Sequence, residues 1–289
     1  MLLSLIWGLN FLLIKIAVEE VGALATVFYR LFFASFILFI IMKWHNQKLD
    51  FRPQALLNYA LLGFLGQALP FFLISSAELH IDAGLAGVLM SPMPLFTLIL
   101  SAIILKNQNL TFRIILGFFF GFIGVLILFG FGPLSKLGRG DMAQLLAQIA
   151  TILAAFSYGL CTVVTKMVIG QINMSENSIA LPTGATFAAL LIISPCYLFF
   201  APVSFELFSL VSTTSIAIQA LMATAIATLI YIRIVEIEGP VFLSLINFII
   251  PLVAYFSGAI LLDEKVEINV LIALGIILFS LYLSKKQPS

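Results

Sequence analysis

The chain has 289 residues, of which 62% are apolar or aromatic and 9% are charged, against roughly 45–50% and about 25% in soluble domains. That leaves too little polar surface to clothe a water-soluble globule, and a net charge of +1 with dispersed Lys and Arg excludes a nucleic-acid footprint or an acidic tail. A hydrocarbon core about 30 Å thick is crossed by roughly 20 apolar residues in a helix, and the sequence breaks into run after run of that length.

Splitting the chain at charges, prolines and polar clusters predicts ten membrane spans, at 1–18, 24–42, 54–76, 83–105, 112–130, 142–168, 179–200, 214–235, 240–262 and 267–284. The loops between them are short, so everything the protein does must be done by the bundle. The first span, LLSLIWGLNFLLIKIAV, lacks a basic leader and a small-residue cleavage site, and reads as a retained helix. In it Trp7, Asn10 and Phe11 lie within one turn and share a face, which is either cavity lining or an interfacial aromatic anchor.

The second span carries Arg30 close to its middle. On insertion scales a charge there costs roughly 2.5–3.5 kcal/mol, so it must face protein or water. Two readings stand: an anion-binding or gating charge on a cavity, or a structural Arg that pairs with a helix end or snorkels outward. Glu78, at the outer end of the third span, is the nearest partner in depth, and Gln67 of that span is a lining candidate.

In the fourth and ninth spans Pro92, Pro94 and Pro251 lack a donor for the carbonyls of Val88, Met90 and Asn247. Freed carbonyls at membrane depth are tolerated where side chains or a watery cavity satisfy them. Ser91 and Asn247 are placed to do so; a packing kink is the alternative. In the fifth span Gly117, Gly121 and Gly124 suggest a close-packing seam. The sixth span offers Tyr158 and Thr162 as a second polar and aromatic patch, and the eighth offers Tyr231. Cys161 and Cys196 fall inside hydrophobic runs and read as packing residues, neither a disulfide nor a metal pair.

Two stretches echo two others. WGLNFLLIK at 7–15 shares its frame with YGLCTVVTK at 158–166, and PLFTLILSAIIL from Pro94 pairs with PLVAYFSGAILL from Pro251. Spans 1 to 5 therefore repeat as 6 to 10, giving repeats at 1–130 and 142–284 joined by 131–141. Five being odd, the second copy enters from the opposite side, the inverted-repeat plan of secondary transporters. With both termini cytoplasmic, Lys43, Lys48, Arg52, Lys106, Arg113, Lys166, Arg233, Lys285 and Lys286 lie inside, against Lys15, Lys136, Arg139 and Lys265 outside, which fixes the expected orientation.

The opening WGLNF with Lys15, Arg30 in FYRLFFA, the ALPFFLISSAELHIDAGLAGVL stretch, MPLFTLIL, GFFFGFIGVLIL and SLINFIIPLVAYFSGAILLDEKVEINVLIALGIIL together resemble the ten-helix EamA-like branch of the drug/metabolite transporter superfamily. The resemblance implies an all-α bundle of ten transmembrane helices in a bacterial inner membrane. It further implies a central cavity lined mainly by spans 1, 3, 4, 6, 8 and 9, and export of small metabolites. One departure is Lys106-Asn107, where the family often has a Gly-Glu-like pair; Asp263-Glu264 keeps the acid in the second half. The first span also lacks the membrane-embedded Glu of the related small multidrug exporters, which argues against their drug/proton antiport.

The expected function is thus secondary transport, in the export direction, of amino acids or related polar or amphipathic solutes by alternating access. Substrate or cavity contacts are expected from Trp7, Asn10, Phe11, Arg30, Gln67, Ser91, Pro94, Tyr158, Thr162, Tyr231, Asn247 and Pro251. If protons are coupled, Glu78 or Glu236 would serve. No enzyme, cofactor or metal is expected: His45 and His80 sit at opposite faces, and no Gly-rich phosphate loop occurs. Beyond lipid and solute no partner is implied, and the protein would act as a monomer or homodimer. The alternative is a membrane-embedded receptor or lipid-handling protein without solute transport.

Overall fold

The computed structural model describes residues 2–81, 83–105, 111–129, 138–174, 178–200, 208–250, 252–253 and 268–284. In chain order the helices are α1 (Leu2–Val21), α2 (Ala23–Trp44), α3 (Pro53–Ala77), α4 (Ala83–Met90), α5 (Met93–Ile104), α6 (Phe112–Phe129), α7 (Met142–Ile169), α8 (Ala180–Phe200), α9 (Leu210–Ile237), α10 (Pro240–Leu245) and α11 (Ile268–Ser284). Among the described residues α1, α2, α3, α7, α8 and α9 are long and apolar enough to cross a membrane.

The surface confirms the solvent. Phe32, Phe33, Phe36, Ile103 and Phe119 are exposed, whereas Thr26, Thr97, Thr186, Gln219 and Thr224 are fully buried. Apolar outside and polar inside is the reverse of a soluble domain, and it makes this a multi-pass membrane protein.

Several boundaries differ from expectation for local reasons. Helix α1 runs past Glu19 and Glu20 to Val21 and stops at Gly22, whose φ of 81° is a left-handed geometry that suits glycine. Helix α9 starts at Leu210 rather than 214. Ser209 caps it by accepting from the Ser212 N–H, and the Glu20 carboxylate accepts from the Ser209 N–H and from the hydroxyls of Ser209 and Ser212. The fourth predicted span is two helices, α4 and α5, separated by Ser91-Pro92. The start of the ninth is α10 followed by a 3-10 turn at Ile246–Phe248.

Neither π segment was foreseen. Helix α3 widens at Phe64–Ala68 and α9 at Gln219–Ile226. In α3 the cause is Pro70, which cannot donate to the carbonyl four residues back. In α9 the Thr224 hydroxyl donates to the Gln219 carbonyl at 3.0 Å, a side-chain bond added to the widened backbone ladder. Both segments lie where the halves of the chain interlock: α2 packs on the α9 π segment, and α8 on α3. Helix α6 packs along α11, where a Cβ at Gly124 would strike Ile277 at 2.6 Å, and against the 3-10 turn, where one at Gly121 would strike Phe248 at 2.5 Å. These glycines let helices approach as small residues do at membrane seams.

Candidate functional site

One cavity of about 430 Å³ opens between the two parts of the bundle, a size suited to a small metabolite. Ten of the residues singled out from sequence line it: Trp7, Asn10 and Phe11 from α1, Arg30 from α2, Gln67 from α3, Ser91 at the α4–α5 break, Tyr158 and Thr162 from α7, Tyr231 from α9, and Asn247 in the 3-10 turn. The remaining wall is mainly apolar, including Phe71, Ile74, Met90, Ile232 and Ile250.

Arg30 is 3% exposed and is held by the α9 π segment. Its Nε donates to Thr224 Oγ1 at 2.7 Å and its Nη2 to the Ala223 carbonyl at 3.4 Å. Because Thr224 spends its own proton on the Gln219 carbonyl, its oxygen is oriented to accept. The guanidinium carbon lies 3.8 Å from the centre of the Phe71 ring, a cation–π contact. The same Ala223 carbonyl accepts from Trp7 Nε1 at 3.4 Å, and Gln219 Nε2 donates back to the Leu13 carbonyl of α1 at 3.1 Å. Helices α1, α2 and α9 thus meet at one polar node.

The α3 π segment is tied to its neighbours in the same way without a charge. Ser157 of α7 donates to the Leu65 carbonyl in the α3 π segment at 2.7 Å, and Gln67 Nε2 donates to Thr186 of α8 at 3.0 Å. Tyr231 shares its hydroxyl with Thr165 at 3.1 Å and Thr162 at 3.4 Å, and its ring stands 6.3 Å from Trp7. Asn247 Nδ2 donates one N–H to the Ser244 carbonyl at 3.0 Å, which leaves its second N–H and its Oδ1 for a visitor.

Several expectations need correction. Arg30 is not ion-paired with Glu78: both Glu78 carboxylate oxygens are buried without a hydrogen-bond partner, and Glu78 does not line the cavity. Glu236 is no free carboxylate either, since it pairs with Arg233 at 2.6 Å. Pro94 is absent from the cavity wall; it occupies the first turn of α5, where a missing N–H leaves no helical bond unmade. Cys161 packs in the hydrophobic core as expected and also borders the cavity, while Cys196 is exposed on α8 and not a packing residue. Pro251, Lys106-Asn107, Lys136, Lys265 and Asp263-Glu264 lie outside the described residues. Sequence reasoning missed Thr224, Thr165 and Phe71. Gln219, Thr224 and Thr228 interrupt an otherwise apolar run, a signal equal in strength to that of Gln67.

At the helix ends two lysines act alike. Lys15 of α1 donates to the Glu78 carbonyl at the end of α3, at 2.8 Å, and Lys166 of α7 donates to the Val235 and Glu236 carbonyls at the end of α9, at 3.2 and 3.0 Å. Each ammonium satisfies orphan carbonyls at the negative pole of a helix.

Comparison with known proteins gives the same picture. Residues 1–130 match the EamA-like transporter family. The chain is 24% identical to the uncharacterized transporter YoaV of Bacillus subtilis (strain 168), over 97% of this chain and 93% of that protein. It is 26% identical to the uncharacterized inner membrane transporter YedA of Escherichia coli (strain K12), over 97% and 87%. A protein of the same strain named a probable amino-acid metabolite efflux pump is 24% identical over 98% and 92%. A solved crystal structure shares the fold, with a TM-score of 0.74 at 14% identity, over 98% of this chain and 96% of the other. With the transporter-like cavity, these matches identify residues 1–130 as an EamA-like transporter family domain.

Proposed function

We propose that this chain is a secondary transporter that exports small polar or amphipathic metabolites, amino acids or their relatives, across a bacterial inner membrane. Transport proceeds by alternating exposure of the cavity between two inverted five-helix repeats, 1–130 and 142–284. The observation that carries the reading is the cavity itself, about 430 Å³ and lined jointly by α1, α2 and α3 from one half and by α7 and α9 from the other. A site shared by both halves can be opened to either side by rocking one against the other.

Inverted duplication is supported by paired details. The Lys15 cap on α3 corresponds to the Lys166 cap on α9. A π segment occurs in α3 and in α9, and the first helix of each half bonds to the π segment of the other, α1 through Trp7 and α7 through Ser157. The solute binds near the midplane, between the breaks at Ser91-Pro92 and Ile246–Phe248, against Trp7, Asn10, Tyr158 and Asn247. The relatives carry the names of uncharacterized transporters and of a probable amino-acid metabolite efflux pump.

The test is transport in sealed vesicles under an imposed solute or ion gradient without ATP, with solutes chosen by profiling the medium of overproducing cells. Movement under these conditions is expected; strict ATP dependence overturns the reading. Reporter fusions at Ser289 and within 43–53 should report inside, and one within 201–213 outside.

A further inference from the structure

Arg30 is the only charged side chain lining the cavity among the described residues. A guanidinium has five N–H donors. One on Nε and one on Nη2 are used, for Thr224 and Ala223, so both donors on Nη1 and the second on Nη2 have no acceptor among the described residues. Among the described residues no carboxylate hydrogen-bonds to it: Glu78 has unpartnered oxygens, is absent from the wall, and acts on Arg30 only through space. Phe71 covers one face of the guanidinium and Thr224 pins Nε, so what remains for a visitor is the Nη edge, a planar fork that matches a carboxylate.

From this geometry we infer that the cavity takes an amphipathic organic monoanion, its carboxylate on the free Nη edge of Arg30 and its apolar body among Phe71, Phe11, Trp7 and Tyr231. The inference rests on the transporter reading and narrows its substrate class from amino acids and their relatives to the anionic relatives that lack the ammonium. A positive charge with no hydrogen-bonded counter-ion is costly at membrane depth, and a monoanion on its free edge supplies one. A zwitterion satisfies the fork but leaves its ammonium facing neutral acceptors only, with net charge still in the cavity. A cation is repelled, and a neutral amide gains no charge-assisted bond. The apolar wall contributes the same to all four, so charge decides among solutes of equal shape.

The test uses one hydrocarbon body with four head groups: 3-phenylpropionate, 3-phenylpropanamide, phenylalanine and 2-phenylethylamine. Binding to the purified full chain in detergent is measured by calorimetry. The expected result is that 3-phenylpropionate binds roughly tenfold or more tighter than the amide and phenylalanine, with 2-phenylethylamine weakest. Arg30→Gln should bring the carboxylate-to-amide ratio close to one, while Arg30→Lys should keep it above one at reduced affinity. Phenylalanine binding as well as 3-phenylpropionate, a carboxylate-to-amide ratio unchanged in Arg30→Gln, or binding of none of the four overturns the proposal. The wild-type ranking decides even if a variant fails to fold. Vesicle flux separates this proposal from the reading beneath it. An Arg30-dependent preference for the carboxylate without flux keeps the anion site and overturns the transporter, whereas preferential flux of phenylalanine or 2-phenylethylamine keeps the transporter and overturns the anion site.

Discussion

The π segments of α3 and α9 solve one mechanical problem with different chemistry. Each widens a membrane helix and turns backbone groups toward a neighbouring helix. The α3 segment offers its Leu65 carbonyl to the Ser157 hydroxyl, and its Gln67 amide reaches Thr186, so that wall is neutral. The α9 segment gives its Ala223 carbonyl to an indole and a guanidinium, and its Thr224 hydroxyl to Arg30. A backbone irregularity inside a bilayer is thus a supply of hydrogen-bonding groups, and the side chain that uses it sets the charge of the wall. The cavity is polarised because only one wall recruited a charge.

Removing that charge should have the largest effect. Charge-assisted hydrogen bonds are worth about 1.5–3 kcal/mol, so Arg30→Ala should reduce transport roughly 10–100-fold, while Gln67→Leu on the neutral wall stays below about tenfold. Arg30→Lys should rescue in part, because an ammonium lacks the planar fork. Size-exclusion profiles check folding. Loss of folded protein in both Arg30 variants would make Arg30 structural and reduce the contrast between the walls to a packing detail.

The next effect comes from the group that orients the charge. Thr224→Val takes the acceptor from Arg30 Nε and a second donor from the Gln219 carbonyl, and the charged N–H left unpaired costs more than the roughly 1–3 kcal/mol of a neutral one. Thr186→Val likewise takes the acceptor from the Gln67 amide and a donor from the Pro182 carbonyl, but the N–H it strands is neutral. Thermal unfolding in detergent should therefore fall more for Thr224→Val than for Thr186→Val, and equal losses would mean that the two walls are energetically alike.

How far the sequence foretold this site follows from which signals survive without coordinates. Membrane residence was legible because apolar run length needs no neighbours. The expensive Arg30 and the polar residues of apolar runs pointed inward, since hydrocarbon leaves polar atoms nowhere else to go. The partner of Arg30 was not legible. Depth suggested Glu78, yet the acceptors are a threonine and a carbonyl exposed by a π segment that no periodicity announces. Pro94 misled for a related reason: a proline marks an interruption, but whether it ends one helix or begins the next is set by the turn at Ser91-Pro92.

The comparison extends to the breaks. Asn247 sits at the second one, with one Nδ2 N–H on the Ser244 carbonyl and its Oδ1 and second N–H left to serve a solute. Asn247→Leu keeps nearly the same volume and removes both groups, and apparent affinity should weaken by a few-fold, about the net value of one neutral hydrogen bond. Unchanged affinity would move the site away from the breaks and toward the π segments alone.

The smallest effect tests whether the halves match away from the cavity. Lys15 and Lys166 each place an ammonium on terminal carbonyls, of α3 and α9 respectively, and a cation at a helix C-terminus is worth about 0.3–1 kcal/mol. Methionine keeps the length of the stem and removes the charge. Lys15→Met and Lys166→Met should each lower stability by an amount in that range, and because the two lysines share no partner the losses should add in the double variant. Lys15 also meets Glu19 at 3.3 Å, but that pair is largely exposed and contributes little, so Glu19→Gln should leave stability unchanged and isolate the cap on Glu78. If only one lysine matters, the motif shared by 7–15 and 158–166 encodes a contact in one half alone, and the correspondence of the halves would rest on the π segments.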